Sequence, residues 1–205
     1  MRAISRDWSL HLFGLCIVGG MGVIAFLRDT DVPGVVALDL GTHELGHMVA
    51  SAAALPEVVD AMMGPLVQVG VPVIATLMLL LVRRDLLLAG LAAGWAAVSL
   101  ADTARYIADA PTGRLERLGG EQDWTFLLGS EQFDLMSRSS EIAELARAAG
   151  VVAFAASVTL ITGGLVLATG AERRLRLLRS VPVKPLDWSP PAGFRPPSGR
   201  RVHAR

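Results

Sequence analysis

Across 205 residues the chain has a single cysteine, Cys16. One thiol excludes an internal disulfide and any multi-cysteine metal site. The residue before it, Leu15, is too large for a lipoprotein cleavage site. Histidine is almost as scarce, at four, too few for the histidine-rich boxes of membrane di-iron oxidases and desaturases. A net charge is also missing, because 19 Lys or Arg balance 19 Asp or Glu. The total therefore points to no charged partner, and no nucleic acid is expected. Nor does a small-x-small cleavage site follow the first apolar run, where Phe26-Leu27-Arg28 stands instead. An uncleaved first membrane span is the expectation.

What is present is apolar, and it comes in long blocks. Hydrophobic residues make up 52% of the chain and the mean hydropathy is +0.49. Five stretches, at about 9–27, 32–55, 58–82, 86–110 and 150–171, reach or approach the roughly 20 residues a bilayer needs. The expected fold is an all-α polytopic membrane bundle of about five spans within residues 1–180. A polar excursion covers 111–150, where Ser140, Glu141 and Glu144 read as a helix start. That helix is expected to run into the last span. Residues 181–205 form a Pro- and Arg-rich tail, expected to be disordered.

Charge distribution sets the orientation. Residues 171–205 carry nine Lys or Arg against two acids, and Arg83-Arg84 lies between the third and fourth stretches. Both clusters favour the cytoplasm, which puts the C-terminus there. Five spans leave Arg2 and Arg6 on the opposite face. A re-entrant second segment would instead gather every basic cluster on one side.

Two of the four histidines fall in one run, His43-Glu44-Leu45-Gly46-His47. This is the H-E-x-x-H zinc signature. On a helix, residues four apart share a face, so both imidazoles can grip one Zn2+ ion. Glu44 is placed to take a proton from water as general base. Ionisable groups at membrane depth cost roughly 2.5–3.5 kcal/mol each on insertion scales, so three within five residues call for a compensating cation.

A zinc hydrolase also needs a third protein ligand. His11 and His203 lie near the chain ends, so a carboxylate is expected. Trp95, Ser99, Asp102, Tyr106 and Asp109 follow one another at steps of four, three, four and three, a polar stripe on one helix face. Asp102 lies deeper than Asp109 and is the preferred ligand. Its competing reading is an ion pair with Arg105, and Asp123 is a rival ligand. Asp39, one turn before His43, reads either as a carboxylate that orients a histidine or as a helix-start residue. Gly64 and Gln68 share a face of the third stretch; Gly64 reads as small-residue packing or as a small residue that lets this helix approach the site, and Gln68 as a candidate substrate contact. Trp124 reads as an interfacial anchor.

This pattern resembles the site-2-protease-like membrane zinc metallopeptidases. It is more closely similar to a group of small bacterial polytopic proteins that combine H-E-x-G-H, a Gln on the next span, a Trp…Asn-Leu-x-Asp…Tyr-x-x-Asp-Ala span and a His-Asp-Trp turn. The matching residues here are His43 to His47, Gln68, Trp95, Asp102, Tyr106, Asp109-Ala110 and Asp123-Trp124, all within about 35–130. Ser99 stands where that group tends to have Asn, and Gln122 where it tends to have His. The resemblance implies a zinc-dependent peptidase in a bacterial cytoplasmic membrane, acting on membrane-protein or peptide substrates. A degenerate, non-proteolytic metal-binding scaffold is the alternative, with Gln122 its main support. A metal-ion transporter comes third.

Overall fold

The computed structural model describes residues 8–115 and 123–180, the last ten by backbone alone. Gln122, Arg2, Arg6 and residues 181–205 lie outside the described residues. The described residues form six α-helices: α1 (Trp8–Gly22), α2 (Val35–Ala52), α3 (Glu57–Leu77), α4 (Leu86–Asp109), α5 (Asp123–Leu128) and α6 (Ser139–Ser180). No strand occurs among the described residues. α1 and α3 each end in a wider π-type turn, Val23–Leu27 and Met78–Arg83.

Among the described residues, four segments are long and apolar enough to cross a membrane: Trp8–Leu27, Glu57–Arg83, Leu86–Asp109 and Met136–Gly170. They mark the chain as a membrane protein. Large apolar side chains such as Leu66, Ile74, Leu77, Met78, Leu81 and Val152 stand exposed along these helices, a surface suited to lipid. α2 is not one of the four. Its 18 residues include Asp39, His43, Glu44 and His47, which dilute its apolar character. The helix start read at Ser140 falls at Ser139, and α6 runs on without a break through the apolar segment.

α4 is the central helix. Its packing face is almost all Ala and Gly, from Ala89 and Gly90 through Ala104, so neighbours can approach its backbone closely. Asp85 caps its start, accepting from the Leu88 amide at 3.0 Å. α6 runs antiparallel to α4, with Ile161 against Gly90 and Ala97 against Gly150. α1 runs parallel to α4, placing Leu87 against Gly14 and Val18 against Gly94. His11 and Leu86 both press on Gly164. The start of α1, the Arg83-Arg84 turn and the later turns of α6 therefore share one end of the bundle.

Polar groups gather at the other end. Arg105 on α4 pairs with Asp31 in the α1–α2 loop, and Arg147 on α6 bonds Asp29 at 2.8 Å and the Phe26 carbonyl at 2.9 Å. Asp109 closes the end of α4 by accepting from the Arg114 amide at 3.0 Å and the Leu115 amide at 2.9 Å. α5 docks there through Leu128, which is buried with Ile107, Ala110 and Ala143. Trp124 packs against this cluster, and the Thr125 hydroxyl donates to the Ala110 carbonyl at 3.1 Å.

Candidate metal centre

α2 and α3 form an antiparallel pair joined by a short loop, and glycine sets their separation. A Cβ on Gly46 would lie 2.2 Å from the Met63 carbonyl oxygen, so the two backbones touch. At the next residue of α3, a Cβ on Gly64 would lie 2.5 Å from His47 Nε2 and 2.7 Å from His43 Nε2. Gly64 is thus the floor on which both imidazoles rest. Plain helix packing is the preferred reading of Gly64 from the sequence; this contact fits its other reading, a small residue that lets α3 approach the site.

The helical spacing does bring the two rings together, with His43 Nε2 and His47 Nε2 3.1 Å apart. The third group is the Asp123 carboxylate, whose Oδ2 lies 3.0 Å from His43 Nε2 and 3.3 Å from His47 Nε2. Among the described residues these three form the one cluster with metal-ligand spacing. Ligands about 2.0–2.1 Å from a tetrahedral zinc lie about 3.3 Å from one another, so the donor spacing fits. Side-chain exposures of 25% for His43, 24% for His47 and 19% for Asp123 leave the cluster within reach of water.

The outer ring nitrogens show which atoms face inward. His43 Nδ1 lies 3.0 Å from Gln68 Oε1, and His47 Nδ1 lies 3.4 Å from Asp60 Oδ1. A carbonyl and a carboxylate oxygen can only accept, so each Nδ1 carries the proton and donates. Both Nε2 atoms then present lone pairs. Three lone pairs meeting at 3.0–3.3 Å repel unless a proton or a metal cation lies among them. Burial disfavours the charged form of His43, yet hydrogen bonds to Asp123 and Gln68 and the nearby carboxylates leave its pKa raised.

Asp102, the carboxylate preferred from the sequence as third ligand, is engaged elsewhere. It pairs with Arg105 and accepts from Gln68 Nε2 at 3.2 Å. Depth along α4 was the reason for choosing it, but the Gln68 amide stands between it and His43. Gln68 itself, read as a substrate contact, is buried and committed to this bridge. Asp39 does not bond either histidine directly: it is 2% exposed and accepts from Trp95 Nε1 and Ser99 Oγ, each at 2.7 Å. Burial lifts its pKa to about 6, against the opposing pull of those two donors. Its work is to tie α2 to α4. Glu44 lies exposed on α2 beside the cluster.

Asp60 escaped the sequence reading. The signal was there, since Asp60, Gly64 and Gln68 fall at steps of four on one face of α3. Comparison with protein-family models, curated proteins and solved structures finds no match for this chain.

Proposed function

We propose that the protein is a membrane-embedded zinc metallopeptidase acting on membrane-associated peptides, with His43, His47 and Asp123 as the metal-binding residues. The supporting observation is the convergence of two Nε2 lone pairs and one carboxylate oxygen within 3.0–3.3 Å. This donor set, two imidazoles and a carboxylate, is one that catalytic zinc takes while keeping a position open. Zinc, when bound, would polarise a peptide carbonyl and acidify water. Glu44 is the general base: its exposed carboxylate, next to His43 in the chain, takes the proton from water and returns it to the departing amine. Gln68 and Asp60 hold the two imidazoles with their Nε2 atoms inward. Exposed Leu45 within the motif and exposed Met48 directly after it give an apolar approach suited to a hydrophobic peptide.

The basic residues support an orientation as well. With four spans, the start of α1, the Arg83-Arg84 turn and the end of α6 lie at one end, which we assign to the cytoplasm of a bacterial cell. The metal centre would then lie toward the opposite face.

Metal analysis of detergent-purified protein tests this reading. About one zinc per chain is expected by the coordination argument, lost in His47→Ala and Asp123→Ala. Glu44→Gln keeps the shape of the side chain but removes the base, so it should retain zinc and abolish cleavage. Equal zinc in wild type and His47→Ala would place the ion elsewhere. Cleavage that survives Glu44→Gln would overturn the base assignment.

A further inference from the structure

The polar chain behind the metal centre runs further than a ligand needs. Behind His43 stands Gln68, behind Gln68 stands Asp102, and behind Asp102 stand Arg105 and then Asp31. A glutamine is an unusual choice next to a ligand histidine. Unlike a carboxylate, its amide has one donating and one accepting end, and it can turn over. In one orientation it accepts from His43 Nδ1–H. In the other it donates to Nδ1, which pushes the proton to Nε2 and blocks the metal-facing lone pair. Gln68 alone therefore leaves the tautomer open.

We propose that Asp102 and Arg105 are positioning residues that fix the tautomer of His43 by pinning the Gln68 amide. Arg105 donates to Asp102 Oδ1, and Asp102 Oδ2 accepts from Gln68, whose NH2 is thereby turned toward it at 3.2 Å. The carbonyl end then faces His43 Nδ1 at 3.0 Å, the proton stays on Nδ1, and Nε2 meets the metal bare. Asp31 caps the far side of Arg105 and holds the guanidinium in place. His47 needs no such device, because its partner Asp60 is a carboxylate with no donating end. The polar stripe on α4 thereby acts on the metal without touching it. This inference rests on the metal-binding part of the reading above and is independent of peptidase activity.

The test exchanges the two ends of the bridge. Zinc affinity is measured by chelator competition for wild type, Asp102→Asn, Gln68→Glu and the double variant, each checked for helicity and monodispersity. Asp102→Asn lets the amide turn over and should weaken zinc binding by roughly 10–100-fold, the usual loss when a ligand's orienting partner is removed. Gln68→Glu sets two carboxylates face to face and should also bind more weakly. In the double variant, the carboxylate now on α3 accepts from His43, and the amide now on α4 donates to that carboxylate. This restores the polarity with the total charge unchanged. Its affinity should return to within about threefold of wild type, a rescue that a role limited to balancing Arg105 would not give. Wild-type affinity in Asp102→Asn, or a double variant no tighter than the singles, overturns the proposal.

Nitrogen-15 shifts of His43 in zinc-stripped protein give a second readout that needs no bound metal. The Nδ1–H form is expected in wild type and a mixture of tautomers in Asp102→Asn. An Nε2–H ring in wild type overturns the relay even where zinc binds. A wild type that shows the Nδ1–H ring but takes up no zinc retains the relay and removes the metal reading alone.

Discussion

Where α4 meets α6, Gly90 lies against Ile161 and the Ser157 carbonyl; where α2 meets α3, Gly46 lies against the Met63 carbonyl and Gly64 lies beneath two imidazoles. Both contacts use the missing Cβ to bring helices close. The first fills the gained space with an apolar side chain and a Ser157 hydroxyl that donates to the Gly90 carbonyl at 2.6 Å. The second fills it with two ring nitrogens that meet the Asp123 carboxylate. Small residues at a membrane helix contact are thus ambiguous as a signal: they permit proximity, and the neighbouring side chains decide what the proximity is for.

Three alanine substitutions separate these uses, and Gly46→Ala should have the largest effect. Its Cβ would lie 2.2 Å from the Met63 oxygen and 2.9 Å from the Gly64 nitrogen, all backbone atoms. Backbone cannot step aside as a side chain can, so α2 and α3 must separate. Loss of zinc together with a thermal-unfolding cost at or above the usual 1–3 kcal/mol of overpacking is expected. A Gly46→Ala protein with normal zinc affinity would show that the helix spacing does not set the donor geometry.

Gly64→Ala should come second and act on the metal alone. The atoms its Cβ meets, at 2.5–2.8 Å, are the far ends of His47 and His43. Those rings can swing away at little cost, and alanine favours a helix by about 1 kcal/mol over glycine. Stability should hold or rise slightly while zinc affinity falls at least as far as the roughly 100-fold that mis-set ligands lose. Calorimetry and chelator competition on the same preparation would reveal the split. Equal losses in both would make Gly64 another Gly46.

The same contrast explains what could be read from the chain. The His43–His47 pair follows from helical periodicity, and the four crossing segments follow from composition, because both are local properties. Asp123 was only a rival candidate, since its place depends on α5 docking through Leu128 onto Ile107, Ala110 and Ala143, contacts that no spacing rule supplies. Asp102 stood out as a deep carboxylate on a polar stripe, and that much is correct; its partners Arg105 and Gln68 are what remove it from the donor cluster. Arg105 was readable as its neighbour three residues on. Asp31, 74 residues away, was not. α2 was counted among the spans because its length and leucines resemble one, whereas its polar residues place it outside the four crossing segments.

Gly90→Ala, the smallest of the three effects, tests whether the α4–α6 contact is silent toward the metal. Its Cβ would lie 2.3 Å from Ile161 Cγ1 and 3.1 Å from the Ser157 oxygen. Ile161 is fully buried, so it has little room to move and the overpacking should cost about 1–3 kcal/mol. Part of that is offset by the roughly 1 kcal/mol helix preference of alanine. The unfolding temperature should therefore fall modestly while zinc affinity stays at the wild-type value. Gly90 lies near the start of α4, and Asp102, which holds Gln68, lies more than three turns further along. A drop in zinc affinity on Gly90→Ala would mean that strain travels along α4 to Asp102, joining two contacts that the structure keeps apart.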